Sequence, residues 1–179
     1  TQASATLKDD VQGDLTALSS SQAGQLDEWI DNTERSIRGT SADAALASDN
    51  VTRANEYLRS LATRDALPRD TVAAHYFNTT SGVIEASSRE SFVGVSPAEQ
   101  GAAFAENPPD FEGADDTHIS QPFTVPIADH PIVAVLSPVA GDDDHVLVYM
   151  VNLRERAQAA SAQRNGSFTV VVNDEGQYI

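Results

Sequence analysis

The first large apolar residues of the chain, Leu7, Val11, Leu15, Leu18, Leu26, Trp29, Ile30 and Ile37, recur at helical spacing along one stripe. Only Gly13 and Gly24 interrupt them, so residues 1–38 predict one long helix, about 50 Å at a rise of about 1.5 Å per residue. Gly39, Thr40 and Ser41 supply the stop. A helix that overshoots its domain pairs with another helix or carries a mechanical signal; the plainer alternative is a core helix that happens to be long. Ser41 to Ala47 continue in helical style. Ser48, Asp49 and Asn50 then offer N-caps for a second helix through about Thr63, with Val51, Ala54, Tyr57, Leu58 and Leu61 on the face that lies back against the first.

Leu67 and Pro68 close that helix, and the period then changes from helical to alternating. Thr71 to Asn78 reads as a strand buried on both faces, Thr79 to Gly82 as a turn, and Val83 to Ser87 as the returning strand. Ser88 to Thr117 is mostly loop, with a short helix capped by Ser96, opened by Pro97 and supported by Glu99. Three strands follow, His118 to Val125, Ile132 to Ser137 and His145 to Val151, the last two joined by Gly141 and three aspartates. Asn152 to Arg164 reads as a helix ended by Gly166, and residues 167–179 as the start of another hairpin. Short connections make the sheet mostly antiparallel, with the long helices across one face: an α+β fold.

Charge narrows the functional classes. Asp and Glu number 27 against 11 Lys and Arg, a net charge of −16, and Lys8 is the one lysine. Such a surface repels phosphate backbones and anionic lipid headgroups, so no nucleic-acid partner is expected. At 40% hydrophobic residues in periodic blocks, the chain is nonetheless a folded protein and not an acidic tail. A lysine-poor, Asp-rich surface resembles the haloarchaeal style, in which carboxylates keep a protein hydrated in concentrated salt. Cysteine is absent, which removes disulfides and thiolate chemistry. No run of eighteen apolar residues occurs, no signal peptide opens the chain, and it starts without Met and stops just after a hairpin signal. These features fit a piece excised between membrane segments.

Catalytic signatures are scarce. There is no nucleophile elbow, zinc helix, phosphate loop or dinucleotide turn, and His75, His118, His130 and His145 stand singly. The aspartates at 142–144 lack the spaced oxygen ligands of a calcium loop and read as a solvated turn. No enzyme, cofactor or metal is expected.

Two strand-turn segments carry a resemblance. Tyr76-Phe77-Asn78-Thr79-Thr80-Ser81-Gly82-Val83-Ile84-Glu85-Ala86-Ser87 resembles the first hairpin of an extracytoplasmic Cache sensor domain, a fold also called PDC. Phe168-Thr169-Val170-Val171-Val172-Asn173-Asp174-Glu175-Gly176-Gln177-Tyr178-Ile179 is similar to the same hairpin opening the second module of a double Cache region. The opening helix, with Gln25-Leu26-Asp27-Glu28-Trp29-Ile30, resembles the membrane-emergent helix of haloarchaeal methyl-accepting transducers. The resemblance implies a membrane-emergent helix over residues 1–40, a membrane-distal sensor module over 41–164 and a truncated second module from 165. It further implies a membrane-anchored chemotaxis receptor, homodimeric when intact, with this domain outside the cell. The partner would be a small-molecule ligand held between the sheet and its covering loops, or a ligand-loaded binding protein. A histidine-kinase sensor and a ligand-free structural surface module are the alternatives.

One branch of that family binds amino acids through Arg-x-Trp-Tyr, an upstream Tyr and an Asp ending a later strand. Here Arg89-Glu90-Ser91-Phe92 keeps only the Arg, Ile84 stands where the upstream Tyr would be, and Asn152 stands where the Asp would be. An amide supplies no negative charge for an ammonium group, so a free amino acid is not the expected ligand, whereas Arg89 suits a carboxylate. The remaining candidate pocket residues are Tyr76, Ser91, His118, Ser120, Ser137 and Tyr149. Alternation puts His118, Ser120 and Thr124 on one side of their strand and Ile119, Phe123 and Val125 on the other. Asn50, Asn78 and Asn165 open glycosylation sequons.

Overall fold

The computed structural model describes residues 2–125 and 130–154. The expected helix at 152–164 therefore lies outside the described residues beyond Arg154, as does the final hairpin at 167–179. The chain divides into two units at Thr33/Glu34. Residues of the first unit belong to helix α1 (Gln2–Ser41), which runs through Gly39 and ends where the stop signal stands.

The second unit opens with the last turns of α1, where Ile37 is fully buried, and a turn segment containing buried Ala45 and Leu46. Helix α2 (Val51–Thr63) starts at Asn50, whose side chain accepts the Arg53 amide hydrogen, and buries Ala54, Leu58 and Leu61. Val51 stays exposed. The hairpin β1 (Thr71–Asn78) and β2 (Val83–Ser87) falls on the expected residues. Its turn is shaped by Asn78, whose Oδ1 accepts the amides of Thr80 and Ser81, and by Gly82 at φ 70°, a conformation open to glycine. Between Tyr76 and Phe77 the register shifts, so that Glu85 is an extra, bulged residue on β2.

Strand β3 is short (His118–Ile119), whereas β4 (Ile132–Val139) and β5 (Asp142–Asn152) are long. The expected strand through Val125 stops early because Pro122 has no amide hydrogen to donate to the ladder. Instead Ser120 Oγ accepts the Ala134 amide, and an isolated bridge joins Phe123 to Ile132. Residues Ala140 and Gly141 alone turn β4 into β5, so the three aspartates begin β5 and do not form the turn. The sheet order is β2-β1-β5-β4-β3, antiparallel throughout.

Both faces of this sheet are covered, which is why its central strands are apolar without clear alternation. Helix α2 lies against β1 and β2, and the end of α1 contacts β4 and β5 through Ser41 and Thr40. The other face carries Phe77, Ile84, Ile132, Ala134, Leu136, Val146, Val148 and Met150, closed by Ala102, Phe104, Phe123 and Val125 from the 88–125 segment. Among the described residues no helix is long and apolar enough to cross a membrane.

Candidate functional site

The loop-covered face holds a cavity of about 230 Å³. Its floor is His75, Ile84 and Met150, and its roof is built from Ser91, Phe92, Val95, Pro97, Gln100, Ala102, Phe104 and Val125. The roof is fastened to the free edge of β2: the Ile84 amide donates to Val95 O at 2.9 Å and the Gly94 amide to Ile84 O at 2.8 Å. This pairing covers the sheet edge and brings Phe92 over His75, ring centroids 4.9 Å apart. Further along, a 3-10 turn at Ala98–Gln100 ends at Gly101 in the left-handed region, with the Ala102 amide donating to Pro97 O at 3.0 Å. The short helix α3 (Ala103–Glu106) follows and inserts Phe104, which meets Phe77 edge-on at 5.8 Å and Phe123 at 5.8 Å.

His75 is the polar group on the floor. Its Nδ1 lies 2.9 Å from Ser87 Oγ, and the Ser87 oxygen also accepts the Arg89 amide at 3.0 Å. Burial pushes its pKa down to about 3, with the Arg89 guanidinium adding to the effect, so the ring is neutral at physiological pH.

A second cleft of about 200 Å³ is lined by Arg69, Asp70, Thr71, Val72, Arg89 and Asn152. It adjoins the cavity along β5, because Met150 and Asn152 are two residues apart on one strand and so share a face. The Asn152 amide donates to Asp70 O at 2.9 Å, and its side-chain oxygen accepts the Arg154 amide at 2.8 Å. Thr71 Oγ1 is buried there without a hydrogen-bond partner among the described residues. Arg89 and Asn152, singled out from the sequence, thus come together with Asp70, a carboxylate that sequence spacing did not single out.

The other candidates are distributed differently. Ser91 lies on the cavity roof. Tyr76, Ser137 and Tyr149 face the helices: Tyr76 donates to Asp142 Oδ2 at 2.8 Å, Tyr149 donates to Thr40 Oγ1 at 2.7 Å, and Ser137 and Ser41 hydroxyls meet at 3.0 Å. Ser120 is buried, its hydroxyl donating to Gln121 O and accepting from the Ala134 amide, each at 2.9 Å. His118 is exposed on β3, as is its neighbour Ile119. His75, Phe92, Gln100 and Met150 were not anticipated. A histidine inside an otherwise apolar strand was the one available signal.

On the helix face, His145 sits between two carboxylates, Nδ1 2.8 Å from Asp142 Oδ2 and Nε2 3.1 Å from Glu85 Oε2. Asn78 spends its side-chain amide on this cluster, donating to Glu85 Oε1 at 3.1 Å, so that sequon is occupied by packing. Among the described residues no group of His, Asp and Glu is arranged to hold a metal ion.

No protein-family model matches the chain. Among solved structures, it resembles the ligand-binding domain of the chemoreceptor CtaA of Pseudomonas fluorescens. With the form in complex with L-serine the TM-score is 0.68 at 13% identity, covering 96% of this chain and 72% of that one. With the L-isoleucine complex the TM-score is 0.63 at 11% identity, covering 89% of this chain and 63% of that one. The helices and five-stranded antiparallel sheet described above are therefore a PDC/Cache-like α+β fold.

Proposed function

We propose that this chain is the ligand-sensing domain of a chemotaxis receptor, taking a small molecule between the sheet and the 88–125 segment. The observation that carries this reading is the cavity of about 230 Å³ on the loop-covered face. It is somewhat smaller than the roughly 300 Å³ at which drug-sized sites begin, and it is mostly apolar with a few polar groups, as small-molecule sites are. The CtaA domains, which share the fold, were solved with L-serine and L-isoleucine.

In this reading Arg89, in the cleft that adjoins the cavity, attracts a carboxylate on the ligand, and Ser91 on the roof closes over it. The signal leaves by β5: Met150 touches the cavity on one face, and its neighbour Tyr149 binds Thr40 of α1 on the other. A ligand that favours one roof arrangement by about 1–3 kcal/mol would bias that helix by at most that amount. Residues 1–40 form the membrane-emergent helix, 41–164 the sensor module, and 165 onward a second module. The receptor is anchored in the membrane as a homodimer with this domain outside, and its acidic surface suits concentrated salt.

The test is a thermal-shift screen in concentrated salt against small carboxylates, amino acids, amines, sugars and nucleobases. A ligand at about 100 times its dissociation constant adds roughly 2.7 kcal/mol, or a rise of several degrees for a domain of this size. A hit that Arg89→Ala weakens supports the reading. Silence across the whole screen with a cooperatively melting sample rejects direct sensing in favour of a ligand-loaded binding protein as partner.

A further inference from the structure

The wall of the cavity carries one buried polar side chain, since Ser91 and Gln100 are exposed. His75 is only 1% exposed, yet its ring borders the cavity. Counting hydrogen bonds at Ser87 assigns its tautomer. Ser87 is wholly buried, and its oxygen accepts the Arg89 amide hydrogen. The hydroxyl proton then has one acceptor among the described residues, His75 Nδ1 at 2.9 Å. Were Nδ1 protonated, two donors would converge on Ser87 and its own proton would be stranded in the interior, an arrangement folded proteins avoid. The proton of the neutral imidazole is therefore on Nε2, which has no hydrogen-bond partner among the described residues.

The wall of the cavity carries no charge of its own among the described residues; Arg89 and Asp70 both lie in the adjoining cleft. No carboxylate lines the cavity among the described residues, although the chain carries 27 of them. The charge that acts on His75 is Arg89, close enough to lower its basicity. An ammonium group entering here would shed its water and meet no anion. An oxygen lone pair would instead meet a pre-oriented N–H, and an aliphatic chain would lie against Ile84, Phe92, Phe104 and Met150.

We propose that His75 Nε2–H is the specificity-determining donor of this cavity, and that the ligand is a small aliphatic carboxyl or carbonyl compound without an amino group. The proposal rests on the sensor reading above, whose site it narrows. It also sets this chain apart from domains that hold amino acids, because the recognition group is a neutral donor at the floor and no acidic partner for an ammonium faces it.

A matched set of probes tests it: isobutyrate, isobutyramide, isobutylamine and L-valine, titrated by calorimetry into the protein in concentrated salt. Isobutyrate and isobutyramide should bind, the acid and the amide separating a charged from a neutral acceptor, and isobutylamine should not. His75→Phe should weaken binding roughly tenfold or more, the loss expected for one hydrogen bond, while His75→Gln, which keeps an N–H, should lose less. Ser87→Ala leaves the cavity wall in place and removes the group that holds the tautomer, so it too should weaken binding. Nitrogen NMR of the histidine ring should show a bare Nδ1 and a protonated Nε2 in the wild type. Tighter binding of the amine or of L-valine, unchanged affinity in His75→Phe, or a protonated Nδ1 overturns the proposal. Silence of these four with a hit among the amines, amino acids, sugars or nucleobases of the broader screen overturns it alone, whereas silence everywhere overturns the sensor reading with it.

Discussion

His145 shows how much one side chain does when both of its ring nitrogens face carboxylates. It stacks on Tyr76 with ring centroids 4.2 Å apart, and Asp142 and Glu85 take its two sides. The bulge on β2 is what aims Glu85 at it. Burial by itself would lower its pKa, but the hydrogen bonds to Asp142 and Glu85 outweigh that and raise it above 6.5. Burial pushes Asp142 upward, and the hydrogen bonds from His145 and Tyr76 more than reverse this, leaving it below 3.8. The stability from the raised histidine is complete below pH 6.5 and is lost as pH climbs through the folded value. His75 works in the opposite sense: between 6.5 and about 3 the unfolded chain takes up a proton that the buried native ring refuses, so acidification lowers stability by up to about 1.4 kcal/mol per pH unit. We expect chemical denaturation to give maximal stability near pH 6–7. His145→Gln should flatten the alkaline limb and leave the fall from pH 6.5 to about 4, which belongs to His75, and a wild-type alkaline limb that the variant shares would exclude the cluster as its cause. His145→Ala should cost about 3 kcal/mol, because two carboxylates lose the ring between them and keep only the donors Tyr76 and Asn78.

At the scale of elements, the sheet is tied to the end of α1 by two hydroxyl contacts whose directions can be worked out. Thr40 Oγ1 already donates to Ser36 O at 3.0 Å and Ser41 Oγ to Arg38 O at 3.1 Å, so Tyr149 and Ser137 are the donors across the interface. Removing either donor strands no helix group, so Tyr149→Phe and Ser137→Ala should each cost only about 1 kcal/mol. Their effect should be local. Hydrogen exchange of the last turns of α1 should quicken in the double variant while β1 and β5 stay protected, and unchanged exchange there would mean that apolar packing around Ile37 and the Ala140 amide bond to Ser41 O fasten the helix without the two hydroxyls. These residues also show where sequence reading stops. The β1–β2 hairpin was legible to the residue because its turn chemistry at Asn78 and Gly82 is local. The facing of Tyr76, Ser137 and Tyr149 was not: in a sheet buried on both sides, alternation gives two parities but does not say which one the helices cover. The cavity is harder still, since its roof comes from loop residues such as Phe92 and Gln100 that reach the sheet through nonlocal pairing at Ile84.

For the whole molecule the governing quantity is the net charge of −16, carried largely on exposed carboxylates such as Asp110, Asp115 and Asp143. Folding crowds these charges, and the repulsion opposes the compact state. Salt shortens its reach from about 10 Å at 0.1 M to about 3 Å at 1 M, so the melting temperature should rise with sodium chloride mainly over that interval. The buried His145 cluster is an attraction shielded from solvent and should respond little, which makes its pH limb separable from the salt effect. Replacing Asp110, Asp115 and Asp143 together by Asn should raise stability at low salt and leave stability in molar salt nearly unchanged, flattening the slope. Differential scanning calorimetry of both proteins across the salt series measures this. A wild-type melting temperature that stays flat or falls with salt would mean that the acidic surface is not held in check by screening, and the concentrated-salt setting of the proposed receptor would lose its physical basis. A rise that continues well beyond 1 M would point instead to salt excluded from the hydrated carboxylate surface, because screening is by then complete.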